Sequence, residues 1–232
     1  LGIKVKAMKP DFSIIGSVMA LGISPFIMRA TESLISIVLN SGLQRYGGDV
    51  YVGSLTIMQS VMQMYSAPLG GFTQGVQPII SYNFGAGNFE RVKKLYRCMI
   101  TTCFFFASSA TLLVITFPAF FAGMFTNDGE LIALVEKMMP IFMCGMLVFG
   151  IQQGIQPTFL ALGQAKLSLF IAIFRKVLLL VPLALVLPIK YGVMGIYYAE
   201  PISDILSATV ATILFLTNIK KIVSKETLQN IV

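Results

Sequence analysis

VYVGSLTIMQSVMQMYSAPLGGFTQGVQPIISYNFGAGNF, residues 50–89, holds no Asp, Glu, Lys or Arg, although Asp49 and Glu90 flank it directly. Crossing the hydrocarbon core of a bilayer takes about 20 mostly apolar residues. The stretch therefore reads as one long membrane helix with room at both ends. It is not uniformly apolar. Gln59, Gln63, Ser66, Gly70, Gln74 and Gln77 recur at three- and four-residue steps, which lines them up on one helix face. In lipid, a stripe of amides must face other helices or water. Pro78 is placed to kink the helix, and Gly85 and Gly87 to stop it.

The composition extends the same reading to the whole chain. Hydrophobic residues make up 56% and charged residues 12%. That is too little charge to coat a soluble globule of this size, so an integral membrane protein is the expected class. Histidine and tryptophan are absent. Without histidine there is no usual triad base, no imidazole metal ligand and no ordinary pH switch. Cys98, Cys103 and Cys144 lie inside apolar runs with no CxxC pair and read as packing residues. GAGN at 85–88 is neither a dinucleotide fingerprint nor a P-loop. No enzyme constellation, cofactor motif or resident metal site emerges, so the chain is expected not to be an enzyme.

Working outward, the pattern predicts an all-α chain of six spans in one transmembrane domain, over about residues 12–43, 50–82, 89–126, 131–162, 166–189 and 193–219. Arg175 and Lys176 interrupt the fifth. Glu200, Pro201 and Asp204 stand in the first half of the sixth, where a solvated helix start competes with a functional role. With the N-terminus inside, inner segments carry eleven Lys and Arg and outer loops carry Arg45 and Lys190 alone. This asymmetry places both chain ends in the cytoplasm. It also explains the net charge of +7 by topology, which disfavours a nucleic-acid partner because the basic residues are dispersed at span ends.

QGVQP at 74–78 returns as QGIQP at 153–157. Each copy sits near the inner end of a long charge-free run. Two readings stand: amide-lined helices kinked at Pro78 and Pro157 around a cavity, or glutamines that bond helix to helix. Glu32 is the sharpest single candidate. A carboxylate inside a span is a functional hypothesis by default. The competing reading is a static pair with Arg29, three residues away on a polar face that also holds Pro25, Ser36 and Asn40.

QPIISYNFGAGNFERVKK (77–94), after its amide-bearing helix, resembles the stretch following the eighth helix of multidrug and toxin extrusion (MATE) transporters. QPTFLALGQAK (156–166) is similar to the end of their tenth helix. PFIMRATESLIS (25–36) resembles their seventh, and YYAEPISDIL (197–206) the start of their twelfth. The resemblance covers the whole chain and is nearest the MepA-like bacterial branch. It implies a six-helix C-terminal lobe of a twelve-helix, two-lobe transporter in the bacterial cytoplasmic membrane. Residue 1 is Leu, which fits a piece of a longer protein, and the N-terminal lobe would be its partner. The family exports organic cations in exchange for sodium ions or protons by alternating access. On that reading the only metal is a transported sodium ion, and the partners are membrane lipid, the drug and the other lobe. Glu32 matches the family's acid in the seventh helix. The aspartate that some members carry in the tenth helix has no counterpart, since FGIQQGIQP (149–157) offers amides alone. The expected cavity is lined by Glu32, Gln59, Gln63, Gln74, Gln152, Gln153 and Gln156, with Arg29 beside Glu32. A lipid-linked saccharide flippase of the same superfamily, and less favourably a channel, are the alternatives.

Overall fold

The computed structural model describes residues 31–223, and every element among them is helical. Pro25 and Arg29, and the expected Arg29–Glu32 pair, lie outside the described residues. Helix α1 is described over 31–47. α2 (Asp49–Gly85) is 37 residues long, about 55 Å at 1.5 Å per residue, so it outreaches the hydrocarbon core. It runs unbroken through Pro68 and Pro78. The stop is made at Gly87, not Gly85. Gly87 takes φ +73°, and the Asn88 amide donates back to the Asn83 carbonyl at 2.9 Å. This is the left-handed turn that glycine adopts without a Cβ penalty.

α3 (Phe89–Thr116) ends well short of the 126 expected for the third span. Pro118 has no amide hydrogen to continue the ladder, and a short α4 (Pro118–Gly123) follows Phe117. The Asp128 carboxylate then caps α5 (Gly129–Met143), accepting from the Glu130 amide at 3.0 Å. The fourth expected span is two helices. α5 and α6 (Met146–Ala161) meet at 52°, at Cys144 and Gly145. α6 ends as α2 does: Gly163 takes φ +73° and the Gln164 amide reaches the Phe159 carbonyl at 2.8 Å. The two glutamine–proline segments thus finish in the same turn. The Ser81 hydroxyl ties them together by donating to the Ala161 carbonyl at 2.9 Å.

The fifth span is α7 (Ala165–Ile173), a π-helical stretch (Phe174–Leu180) and α8 (Val181–Tyr191). Arg175 and Lys176 do not break this helix; they widen it. The Val181 amide bonds back five residues to the Lys176 carbonyl, the π pattern. After Gly192, α9 (Val193–Ile222) closes the lobe.

α6 packs on α2, α3 and α9 and forms the middle of the bundle. Its faces are thin where they meet α3. A Cβ on Gly150 would stand 2.7 Å from the Cys103 carbonyl oxygen, and one on Gly154 would stand 2.7 Å from Ile100 Cα. Small residues four apart let helices approach this closely, which is how helices associate in lipid. Outward faces keep large apolar side chains, among them Phe105, Leu112, Phe120, Leu185, Ile189 and Leu216. Water would disfavour such a surface, and lipid accepts it. α3, the α7–α8 helix and α9 are each long and apolar enough to cross a membrane, and the bent α5–α6 pair makes a fourth if it is taken as one span; α2, expected to span over 50–82, is long enough but its polar stripe leaves it less apolar than these.

The apolar core comes in two parts. One gathers Leu39, Leu55, Met58, Tyr65, Val114, Phe142 and Tyr197; the other gathers Leu69, Ile80, Met99, Ala107, Ile155, Phe159 and Phe215. On the central helices α3, α6 and α9 the chain passes from one to the other through buried polar residues. Thr111 does so on α3, Gln152 on α6, and Glu200, Ser203, Asp204 and Ser207 on α9. A polar layer therefore crosses the lobe between two greasy ends.

Candidate functional site

The polar layer is built around Arg175. Its position on the π turn aims the guanidinium at α9, where Glu200 and Asp204 are one helical turn apart. The Nη2 group donates to Glu200 Oε1 at 2.9 Å. Nε and Nη2 both stand 2.6 Å from the same oxygen of Asp204, Oδ1. The guanidinium carbon also lies 4.1 Å from the centre of the Phe149 ring, a cation–π contact. Asp204 is fully buried and Glu200 is 7% exposed. The expectation of a solvated helix start is thereby corrected. α9 begins at Val193, so both acids lie about two turns or more inside the span.

Lys176, the next residue, turns the other way. Its Nζ lies 2.6 Å from Glu32 Oε1 on α1. Glu32 is not sunk in the core; its side chain is 44% exposed at the mouth of a cleft. Three carboxylates and two basic groups thus meet across α1, the π turn and α9.

The cleft consists of two adjoining cavities that share Glu32, Met62, Ser66, Arg175 and Lys176. One, of about 320 Å³, also takes in Gln59, Gln63, Phe142 and Glu200. The other, of about 290 Å³, takes in Gln152, Gln153, Gln156, Met146 and Phe149. The structure therefore brings together Glu32, Gln59, Gln63, Gln152, Gln153 and Gln156. Gln74 is exposed and lines neither cavity, because it stands about three turns past Gln63 along α2. Gln152 is also committed within the protein: its amide oxygen accepts from the Ser207 hydroxyl at 2.6 Å. Gln152 thus lines the cleft and bonds helix to helix at once. Among the described residues no group of three or more His, Cys, Asp and Glu could hold a metal ion.

Sequence reasoning named Arg175, Lys176, Glu200 and Asp204 but paired none of them, and it passed over Tyr65 and Thr111. A signal existed for the acids. Glu200, Ser203, Asp204 and Ser207 stand at i, i+3, i+4 and i+7 within an apolar span, as a buried polar face would.

The lobe is an all-helical, multi-pass membrane bundle with charged groups facing a cleft across its middle. Comparison with known proteins narrows this class. The MatE family model matches residues 25–186, and the chain belongs to that family. It is 24% identical over 214 residues to the multidrug export protein MepA of Staphylococcus aureus (strain MSSA476), covering 92% of this chain and 47% of that protein. MepA of Staphylococcus saprophyticus is 25% identical over 207 residues, covering 89% and 45%. The chain thus spans about half the length of the relatives it matches. A crystal structure of MATE in the straight conformation superposes with a TM-score of 0.81 at 17% identity, over 96% of this chain and 50% of that one. The MATE multidrug transporter DinF-BH superposes with a TM-score of 0.76 at 31% identity, over 89% and 46%. The fold is one lobe of the MATE type.

Proposed function

We propose that this chain is the C-terminal lobe of a cation-coupled exporter of organic cations, working by alternating access with a second lobe. The observation that carries this reading is the cleft, in which Glu32 stands at the mouth, paired to Lys176 yet 44% exposed. A carboxylate so placed is reachable by a coupling ion or a cationic drug. Lys176 offers it a partner when neither is bound. Met62, Met146, Phe142 and Phe149 supply the apolar, adaptable surface a bulky cation needs. The relatives named for multidrug export support the same substrate class. A saccharide flippase would use basic groups in the cleft to hold a phosphate. Here Arg175 and Lys176 are both engaged by carboxylates, which favours cations.

Glu32→Gln in the two-lobe protein tests the reading. The pair it removes is half-exposed, so stability should change by no more than about 1 kcal/mol. Expression should be normal and cation-coupled efflux should be lost. Normal pumping at every pH and sodium concentration would reduce Glu32 to a structural partner of Lys176.

The exporter reading includes a topology, with both chain ends cytoplasmic in a bacterial cytoplasmic membrane. In a cysteine-free background, a cysteine placed beside Asp128 should react with an impermeant thiol reagent added outside, and one beside Lys94 should not. The opposite labelling pattern would invert the six-span arrangement.

A further inference from the structure

The two oxygens of Asp204 are treated unequally. Oδ1 receives both Nε and Nη2 of Arg175 at 2.6 Å, while Oδ2 is buried and has no hydrogen-bond partner among the described residues. An ionised carboxylate carries its charge on both oxygens and accepts at both, whereas a carboxylic acid is neutral, and an unpartnered O–H costs far less buried than an unpartnered anionic oxygen. A fully buried carboxylate oxygen without a partner is rare and calls for an explanation. The balance of charge asks for the same thing. One guanidinium faces two buried carboxylates, which among the described residues leaves this cluster one negative charge in excess.

We infer that Asp204 is a proton-binding site of this lobe, separate from Glu32, with the proton carried on Oδ2. The surroundings suit a proton better than a metal ion. Asp204 lines neither cavity of the cleft. Gly145, at the α5–α6 bend, closes over it so tightly that a Cβ there would stand 2.8 Å from the Asp204 Cβ. The titratable and charged groups around it, among the described residues, come from four places. Arg175 reaches it from the π turn, Glu200 from α9 itself, Cys144 from the α5–α6 junction and Tyr65 from α2. The hydroxyls of Tyr65 and of Thr111 beside it are both buried here. Lys176 and Glu32 stand one step away in the cleft.

The route to water runs through Arg175 and Glu200, which both line the 320 Å³ cavity. When Oδ2–H dissociates, the carboxylic acid becomes a carboxylate and the proton leaves to cleft water past Glu200. The cluster changes from neutral to a charge of one minus, facing the cavity where a cationic substrate would sit. Proton release and cation uptake are thereby linked in sign. This deepens the exporter reading, but proton binding itself does not depend on that reading.

Infrared difference spectra of the purified two-lobe protein, recorded as pH is scanned, read the site directly. A carboxylic-acid C=O band that titrates is expected, retained in Glu32→Gln and lost in Asp204→Asn. Should Asp204→Asn fail to fold, isotopic labelling of aspartate in the unmutated protein should move the band. The inference is overturned if the band persists in Asp204→Asn, if it moves only with labelled glutamate, or if it answers to sodium at fixed pH and not to pH. Loss of efflux in Glu32→Gln with no Asp204 band would sink this inference and leave the exporter reading standing.

Discussion

Arg175→Met is expected to cost the lobe about 3–5 kcal/mol, because it strands the buried Glu200 carboxylate without its counter-ion and strips Asp204 Oδ1 of both its donors. Glu200 and Asp204 both depend on this one guanidinium, and both are enclosed. The variant should show a sharply lower melting temperature in detergent and a poor yield of monodisperse protein. Adding Glu200→Gln and Asp204→Asn to the same chain should recover much of the loss, since replacing a whole buried ionic group is milder than removing one partner. A single variant as stable as its parent would mean that water, and not Arg175, is what the two acids rely on.

Gly154→Leu is the second large effect. The Cβ alone would stand 2.7 Å from Ile100 Cα and 3.2 Å from the Ile100 amide nitrogen. Backbone cannot step aside as a flexible side chain can, so α3 and α6 must separate. Overpacking of this kind costs about 1–3 kcal/mol, and forcing two backbones apart belongs at or above the upper end. Because α6 also carries Gln152, Gln153 and Gln156 into the cleft, on the proposed exporter reading the variant should lose drug binding together with thermal stability. Gly154→Ala should fall between the two. Unchanged melting of the leucine variant would show that the α3–α6 contact is looser than it stands here.

How far these features were legible in the sequence differs from residue to residue. The amide stripe of α2 was legible as a helix face, but its period does not say which part reaches the cleft: Gln59 and Gln63 line it and Gln74 does not. The repeated glutamine–proline motif marked two helix ends that do finish in the same left-handed turn, at Gly87 and Gly163. The ion pairs were not legible. Arg175 meets partners 25 and 29 residues away, and Lys176 meets one 144 residues away. No local period encodes such pairings. The bend at Gly145 was hidden in a charge-free run that reads as one continuous span. Gly150 and Gly154, which set the α3–α6 approach, were read as part of an amide motif, although their four-residue spacing was in plain view. A charge early in a span usually sits in water, and the span expected from 193 starts where α9 does; what the sequence does not show is the packing that encloses Glu200 and Asp204 around Arg175.

The π stretch over Phe174–Leu180 bears on how this chain should be lined up with its relatives. A π turn takes in one residue more than an α turn. A relative whose helix is α-helical throughout this span would match it only across a gap of one residue in the middle of a membrane helix, where alignment methods are least willing to open one. Forced through without that gap, the alignment would rotate everything on one side by about 100°. Arg175 and Lys176 would then be compared with positions that face neither α9 nor α1. Equivalence at these two sites is a matter of where the side chain points, and column number in an alignment is a poor guide to it.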